Sequence, residues 1–282
     1  MWFNLRFIEK HLNGSASMQH GFFRVLFYAS TFFMPFVAEA KIIETATVID
    51  IVPFIDSDTW VLVDLDNTTF EGKQALGHTE WFYDNARALM KNGMTLEEAT
   101  RECYPEWIEV QKICPVKAIE AAFIPALVLL QQQGIIVMGL THRQPSIADS
   151  TIRQVKSLGL SFSDSAPDAA TLVVPSETPT IYDQGILFTG EYNKKGEIFV
   201  RFLYLINQMP KKIVFIDDKR GHVEDVESAV KDLGIEYTGV HYTAIENAEM
   251  VYYPDIARLQ HKLMYNILSN KAALLLMEHG LE

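Results

Sequence analysis

The stretch Trp60-Val-Leu-Val-Asp64-Leu-Asp66-Asn-Thr68 decides the fold. Its first four residues are apolar without a break, and carboxylates follow at once. A strand covered by helices on both faces reads this way, whereas a half-exposed antiparallel strand alternates apolar with polar. Two further runs have the same character, Ile135-Ile-Val-Met-Gly-Leu140 and Ile213-Val-Phe-Ile216, and Tyr237 to Tyr242 is a fourth candidate. Each ends in polar residues, which is how strands of one parallel sheet deliver side chains to a common edge.

Helical patterns lie between these runs. After Pro145, Ser146 is placed to cap a helix with Asp149 three residues on; Ile147, Thr151, Val155 and Leu158 share a face, and Gly159 ends it. From Gly196 to Met209, Ile198, Phe199, Phe202, Leu203 and Ile206 line one side, and Pro210 closes the helix before the third run. Strand and helix in alternation predict an α/β fold, a doubly wound parallel sheet. The interval 71–116 breaks the alternation: it is helical in pattern, holds no strand-like run, and reads as an inserted helical cap. Thr180 to Gly190, with Gly185 inside it, reads as a hairpin or loop excursion. The expected organisation is a core of 41–70 and 117–250, the cap at 71–116, and a C-terminal helical extension at 251–282 that packs on the core.

Composition narrows the functions. The chain has 282 residues, 49% hydrophobic and 21% charged, with formal net charge −12. That profile excludes a disordered, collagen-like or coiled-coil protein, and it lacks the clustered Lys and Arg that nucleic-acid backbones demand, so no nucleic acid is expected as a structural partner. The uncharged apolar run Val25 to Ala38 has 14 residues, too few to span a bilayer as a helix. With Arg24 before it and Ala38-Glu39-Ala40 after it, residues 1–40 read as a signal peptide cleaved before Lys41, and translation from Met18 would give a signal of ordinary length. Export to the periplasm or beyond is expected, with no stable membrane span once the signal is removed. Cys103 and Cys114 are the only cysteines; they are either a single disulfide or two buried thiols, and no zinc-ligand spacing occurs.

The chemistry gathers at the run ends. Asp64 and Asp66, two residues apart on a strand, project to one side at the carboxyl edge of the sheet, where open α/β folds bind ligands. Two carboxylates so close call for a cation, and Mg²⁺ is the hard ion that oxygen ligands suit. Thr141 follows the second run, Lys195 opens the helix before the third, and Asp217-Asp218 follows the third. A hydroxyl, an ammonium and a carboxylate-held cation are what a transferring phosphoryl group needs.

This ordered set resembles the haloacid dehalogenase (HAD) superfamily, its motifs being Asp64-Leu-Asp66-Asn-Thr68, Gly139-Leu-Thr141, Asn193-Lys-Lys195-Gly-Glu197 and Asp217-Asp218. The similarity spans the core from about Thr59 to Val240, and the stretches around these motifs look like an uncharacterised bacterial HAD branch often found in intracellular bacteria. The resemblance implies that Asp64 is the nucleophile, forming an aspartyl-phosphate, and that Asp66 protonates the leaving oxygen and then activates water. It implies Mg²⁺ held by Asp64, the Asp66 carbonyl and an acid of the last pair, with Asp218 the direct ligand and Asp217 beside Lys195. Asp225 is a candidate water-mediated ligand, with Glu224 and His222 as competitors.

Two positions depart from the pattern. Thr69 stands where leucine is usual, and Lys194 competes with Lys195. His142 and Arg143 are candidate substrate-binding residues beside Thr141 and Lys195, Arg143 being alternatively a surface ion-pair partner. Glu71, Lys73, His78 and Trp81 fall where a substrate-facing loop belongs, while Trp81-Phe82-Tyr83 reads as cap core. The expectation is an exported Mg²⁺-dependent phosphomonoesterase acting on a small phosphorylated substrate. A phosphotransferase of the same chemistry, or a HAD-folded secreted effector that binds a protein partner without catalysis, are the alternatives.

Overall fold

The computed structural model describes residues 40–247, 252–264 and 268–280. The expected signal peptide, residues 1–40, lies outside the described residues except for Ala40, which opens β1. In chain order the structure begins with β1 (Ala40–Thr45), β2 (Thr59–Val63), β3 (Phe70–Gly72), α1 (Thr79–Met90), α2 (Leu96–Ile113), β4 (Val116–Ala118), α3 (Phe123–Gln132), β5 (Ile136–Thr141) and α4 (Ala148–Ser157). It continues with β6 (Leu172–Val173), β7 (Ile181–Asp183), β8 (Ile186–Phe188), α5 (Lys195–Ile206), β9 (Lys212–Asp217), α6 (Arg220–Val230), β10 (Glu236–Tyr242), α7 (Pro254–Lys262) and α8 (Asn270–Glu278).

Eight strands form one sheet in the order β1-β10-β9-β2-β5-β8-β7-β6. Pairing is parallel from β1 through to β8, and at the far edge β7 alone runs the other way, antiparallel to both β8 and β6. All five residues of β2 are buried, because it lies between β5 and β9 with helices over both faces. The two-residue period of the strands sorts its side chains. Val61 and Val63 pack with Val137, Val214 and Ile216 against Phe123 and Leu127 of α3 and Val155 of α4. Trp60 and Leu62 pack with Met138, Leu140 and Phe215 against Phe199 and Phe202 of α5 and Val226 of α6. The fold is thus α/β with a mostly parallel, helix-flanked sheet of the Rossmann-like kind.

The hairpin turns through Gln184 and Gly185, at φ 45° and 78°, the paired positive values of a tight two-residue loop. A Cβ on Gly185 would lie 2.4 Å from the Phe162 carbonyl oxygen, so only glycine fits. Ser146 does not cap a helix: residues 145–147 make a single 3₁₀ turn, α4 starts at Ala148, and its N-terminus has no side-chain cap. α5 stops earlier than Pro210 would require, at Asn207, whose left-handed φ of 53° ends the helix.

Three further features differ from the sequence reading. β1, an edge strand paired with β10, was not anticipated. The cap contains strands after all, since β3 and β4 pair antiparallel at its root and join its two crossings from the core. The C-terminal helices pack on the cap and not on the core: Ile256, Ala257 and Leu259 of α7 and Ala273 of α8 share a cluster with Trp81, Ala86, Ala99 and Trp107. Gln260 reinforces this by accepting from the Leu76 N–H at 3.0 Å. Apolar residues at helical spacing show that a face is buried, without showing against what.

Cys103 and Cys114 are both buried free thiols. They lie eleven residues apart on α2 and its C-cap, so at about 1.5 Å of rise per residue they are far beyond disulfide reach. Among the described residues no helix is long and apolar enough to cross a membrane.

Candidate active site

β2 hands its last ladder bond to Asp64, whose N–H donates to the Ile216 carbonyl at 2.9 Å. Asp64 therefore stands at the carboxyl edge of the sheet, level with the end of β9. The chain then turns through Asn67 at a left-handed φ of 63°, and the Thr69 and Phe70 N–H groups both return to the Leu65 carbonyl. Thr69 is fully buried and donates its hydroxyl to the Asp64 carbonyl at 2.6 Å, a contact leucine could not make. Thr68 accepts from the Asp218 N–H at 2.9 Å, which ties this turn to the one after β9.

Lys195, the first residue of α5, is 1% exposed and joins the two strand ends. Its ammonium donates to Asp64 Oδ1 at 2.5 Å and to Asp217 Oδ2 at 2.7 Å. Lys194 is exposed and makes no such contact, so Lys195 is the site lysine. Against the cost of burial, Asp217 and Asp64 together hold the Lys195 ammonium above its ordinary pKa. Asp217 also accepts from the Lys219 N–H at 2.8 Å and faces His222 Nδ1 at 3.1 Å. Burial opposes its charge, yet Lys195 and His222 hold its carboxyl well below the usual range.

The other two acids are under the opposite pressure. Burial pushes Asp64 up to about 6, with Asp217 and Asp66 adding to the shift and Lys195 opposing it. Burial, then the charges of Asp64 and Asp217, push Asp218 up to about 8. Asp64, Asp217 and Asp218 each offer an oxygen within 4.8 Å of the others. Three carboxylates around one ammonium leave surplus negative charge among hard oxygen donors, and a divalent cation such as Mg²⁺ fits that donor set.

The Asp66 carboxylate is not in this cluster; it turns to Arg143, just past β5. The Arg143 Nε and Nη2 donate to the two Asp66 oxygens, each at 2.7 Å. Its remaining donors go to Gln111 of α2 at 2.9 Å and to Thr151 and Gln154 of α4 at 3.1 and 2.5 Å. All five guanidinium N–H groups are thereby engaged, and Arg143 is 3% exposed, so it is no surface ion-pair partner. Sequence reasoning missed Gln111 and Gln154. Their signal is a long amide on a helix face that is otherwise apolar, as Gln111 is after Tyr104 and Trp107.

Thr141 is buried; its hydroxyl accepts from the Arg143 N–H at 3.1 Å. His142 stacks on His222 with centroids 4.6 Å apart, and burial and Lys195 hold it well below its ordinary pKa as a neutral ring. The three rivals for the water-mediated ligand go elsewhere: Asp225 accepts from the Gly196 N–H at the start of α5, Glu224 pairs with Arg220 on the surface, and His222 is held on Asp217.

A cleft opens above Asp64 and Asp218, roofed by the cap. Phe82, Tyr83, Tyr104 and Trp107 face it from α1 and α2, while Thr79 donates to Asn67 at 3.1 Å on its floor. Thr141, His142, Arg143 and Lys195 line it, whereas the cap-loop residues expected to face substrate, Glu71, Lys73, His78 and Trp81, do not. Glu71 is buried between His78 and Lys117 at 3.1 and 2.9 Å, Trp81 stacks on Trp107 inside the cap, and Lys73 is exposed elsewhere. His78 Nδ1 accepts from the Glu80 N–H, so its Nε2 carries the proton donated to Glu71. Of Trp81-Phe82-Tyr83, the first two belong to the cap core as expected, and Tyr83 is half-buried at the cleft.

Fold and site together define an α/β protein with a carboxylate and lysine cluster at the carboxyl edge of its parallel strands. The chain belongs to the family described as "Protein of unknown function (DUF2608)", whose model matches residues 41–274. A Chlamydia pneumoniae protein named "Putative outer membrane protein" is 31% identical over 261 residues, covering 92% of this chain and 97% of that one. A Chlamydia trachomatis protein of the same name is 32% identical over 265 residues, covering 92% and 99%. An uncharacterized Rickettsia prowazekii protein is 25% identical over 217 residues, covering 71% and 75%.

Proposed function

We propose that this protein is a HAD-type phosphomonoester hydrolase that works through an aspartyl-phosphate on Asp64 and depends on a divalent cation. One observation carries the reading: the Lys195 ammonium bridges Asp64 and Asp217 at the end of adjacent parallel strands, with Asp218 beside them. Asp64 and Asp218, with Asp217, would hold Mg²⁺, which when bound neutralises charge on the phosphoryl oxygens and on the acids themselves.

The chain's own groups have separable tasks. Lys195 fixes one Asp64 oxygen, and the other has no donor among the described residues, which leaves it to attack phosphorus. Thr141 Oγ1 accepts from the backbone and keeps its own proton for a phosphoryl oxygen. Arg143 holds Asp66, the proposed proton carrier; for Asp66 to take up a proton, give it to the leaving oxygen and then accept one from the water that releases phosphate, one of its oxygens would leave the guanidinium. Arg143 is then a positioning residue, its donors being spent within the protein. An alcohol taking the place of water would make the same site a phosphotransferase.

The test is phosphate release from p-nitrophenyl phosphate by residues 41–282, with Mg²⁺ and with EDTA. The expected result is turnover that needs the cation and is abolished by Asp64→Asn, with Asp66→Asn strongly impaired; added alcohols that divert phosphate to an ester would mark a transferase. No turnover by folded, Mg²⁺-loaded protein would refute the enzyme and leave a binding protein.

We also propose export, with residues 1–40 removed. The chlamydial relatives' names refer to the outer membrane, the family match begins at residue 41, and β1 begins at Ala40. Protein from its own host should begin at Lys41 on N-terminal sequencing, and a retained Met1 or Met18 would overturn this.

A further inference from the structure

We propose that the substrate carries a planar aromatic ring on its alcohol portion, seated against the cap, and a single phosphoryl group. The inference rests on the phosphatase reading only in taking Asp64 as the place of the phosphoryl group. The cap turns four aromatic side chains to the cleft, and Phe82, Tyr104 and Trp107 are at least nine-tenths buried. Their orientations are set before any ligand arrives. Phe82 meets Trp107 at 5.6 Å and 61°, Tyr83 at 5.4 Å and 70°, and Tyr104 at 6.4 Å and 83°, edge-to-face contacts that lock the rings. Such a wall recognises a flat ring by stacking; a sugar or glycerol phosphate needs an array of hydrogen-bond partners that aromatic faces do not supply.

Charge restricts the substrate further. Three Lys and Arg side chains line the cleft. Arg143 spends its five donors on Asp66, Gln111, Thr151 and Gln154, and Lys195 is taken by Asp64 and Asp217. Lys219 alone of the three makes no ion pair among the described residues, whereas Asp64, Asp66, Glu191 and Asp218 all face the cleft. Lys219 can answer one phosphoryl group; a second would meet these carboxylates with no further Lys or Arg among the lining residues to answer it.

Two sources share this chemistry, aryl phosphates and nucleoside monophosphates, and the experiment separates them. Calorimetric titration of the full-length Asp64→Asn chain in MgCl₂ compares phenyl phosphate, AMP, ADP and glycerol 3-phosphate. At least one of phenyl phosphate and AMP should bind about tenfold tighter than glycerol 3-phosphate, with ADP weaker than AMP. Phenyl phosphate ahead places the ring on the ester oxygen; AMP ahead places it one sugar away. Half-buried Tyr83 is the variant least costly to the fold, and Tyr83→Leu should weaken the preferred ring ligand about fivefold and leave glycerol 3-phosphate unchanged. Equal binding of glycerol 3-phosphate, tighter binding of ADP, no binding by any of the four, or indifference of the ring ligand to both Tyr83→Leu and Tyr104→Leu overturns the proposal. Ring-selective binding without turnover would sink the phosphatase reading alone, and turnover without ring selectivity would sink this inference alone.

Discussion

Lys195→Met is the sharpest perturbation of the charge cluster. Methionine keeps an unbranched stem of similar length and removes the ammonium that sits 2.5 Å from Asp64 and 2.7 Å from Asp217. Both acids stay buried, at 6% and 0% exposure, so the variant confines two carboxylates without their shared partner. Taking one member from a buried ion pair costs about 3–5 kcal/mol, a large part of the roughly 5–15 kcal/mol that holds a domain folded. The pH dependence has a definite sign. Asp217 is held below its ordinary pKa in the intact protein, so it contributes stability at every pH above that ordinary value. Without Lys195 both acids rise, and a carboxyl raised by folding loses stability as pH climbs from its unfolded value to its folded one. Guanidinium denaturation in EDTA should therefore show a deficit of about 3–5 kcal/mol at pH 8 and a smaller one at pH 5, where Asp64 takes up a proton. A deficit under about 1 kcal/mol at pH 8, or the same deficit at both pH values, would refute the view that Lys195 neutralises this pair.

Burial raises Asp64 to about 6 and Asp218 to about 8, so the cation-free protein weakens as pH climbs from the ordinary carboxylate range to about 8. Mg²⁺ should accordingly raise the Tm more at pH 8.5 than at pH 5.5, and Asp218→Asn should remove most of that difference in a melting assay. Arg143→Lys supplies a point charge where a fork is needed and strands Gln111, Gln154 or Thr151; a loss of about 2–4 kcal/mol in denaturant titration is expected, and wild-type stability would contradict the five-bond assignment. A Cβ at Gly77 would lie 1.8 Å from Cys114 Sγ, so Gly77→Ala should cost about 1–3 kcal/mol, and the cost should shrink in a Cys114→Gly background, which a double-mutant cycle measures.

The parts of the fold legible in the sequence are those where burial on two faces forces a residue choice. β2, β5 and β9 are visible as unbroken apolar runs because no side of those strands meets water. β1 covers the sheet's edge, is largely half-buried, and carries Lys41 and Glu44, so its pattern does not separate from a loop. β3 and β4 are three residues each, too short for any period to show. The same logic divides the site. Asp64, Thr141 and Asp217 were legible because they end strands, and strand ends of one parallel sheet converge by topology alone. The cleft's cap wall was not, because which face of α1 and α2 turns inward depends on α7 packing behind them, a contact made more than 140 residues later in the chain.

Arg143 is where those two kinds of information meet. Its position just after Thr141 comes from the sheet, yet it is held by Gln111 on the cap helix and by Gln154 and Thr151 beneath it. Gln154 in turn donates to the Gln111 and Cys114 carbonyls, and Gln111 donates to the Gly77 carbonyl. A displacement of α2 therefore reaches the two oxygens of Asp66 through one rigid guanidinium plane. The cap that carries the aromatic wall and Asp66, the proposed proton carrier, cannot be repositioned independently, and on the proposed function substitutions along α2 should alter turnover as well as ligand preference.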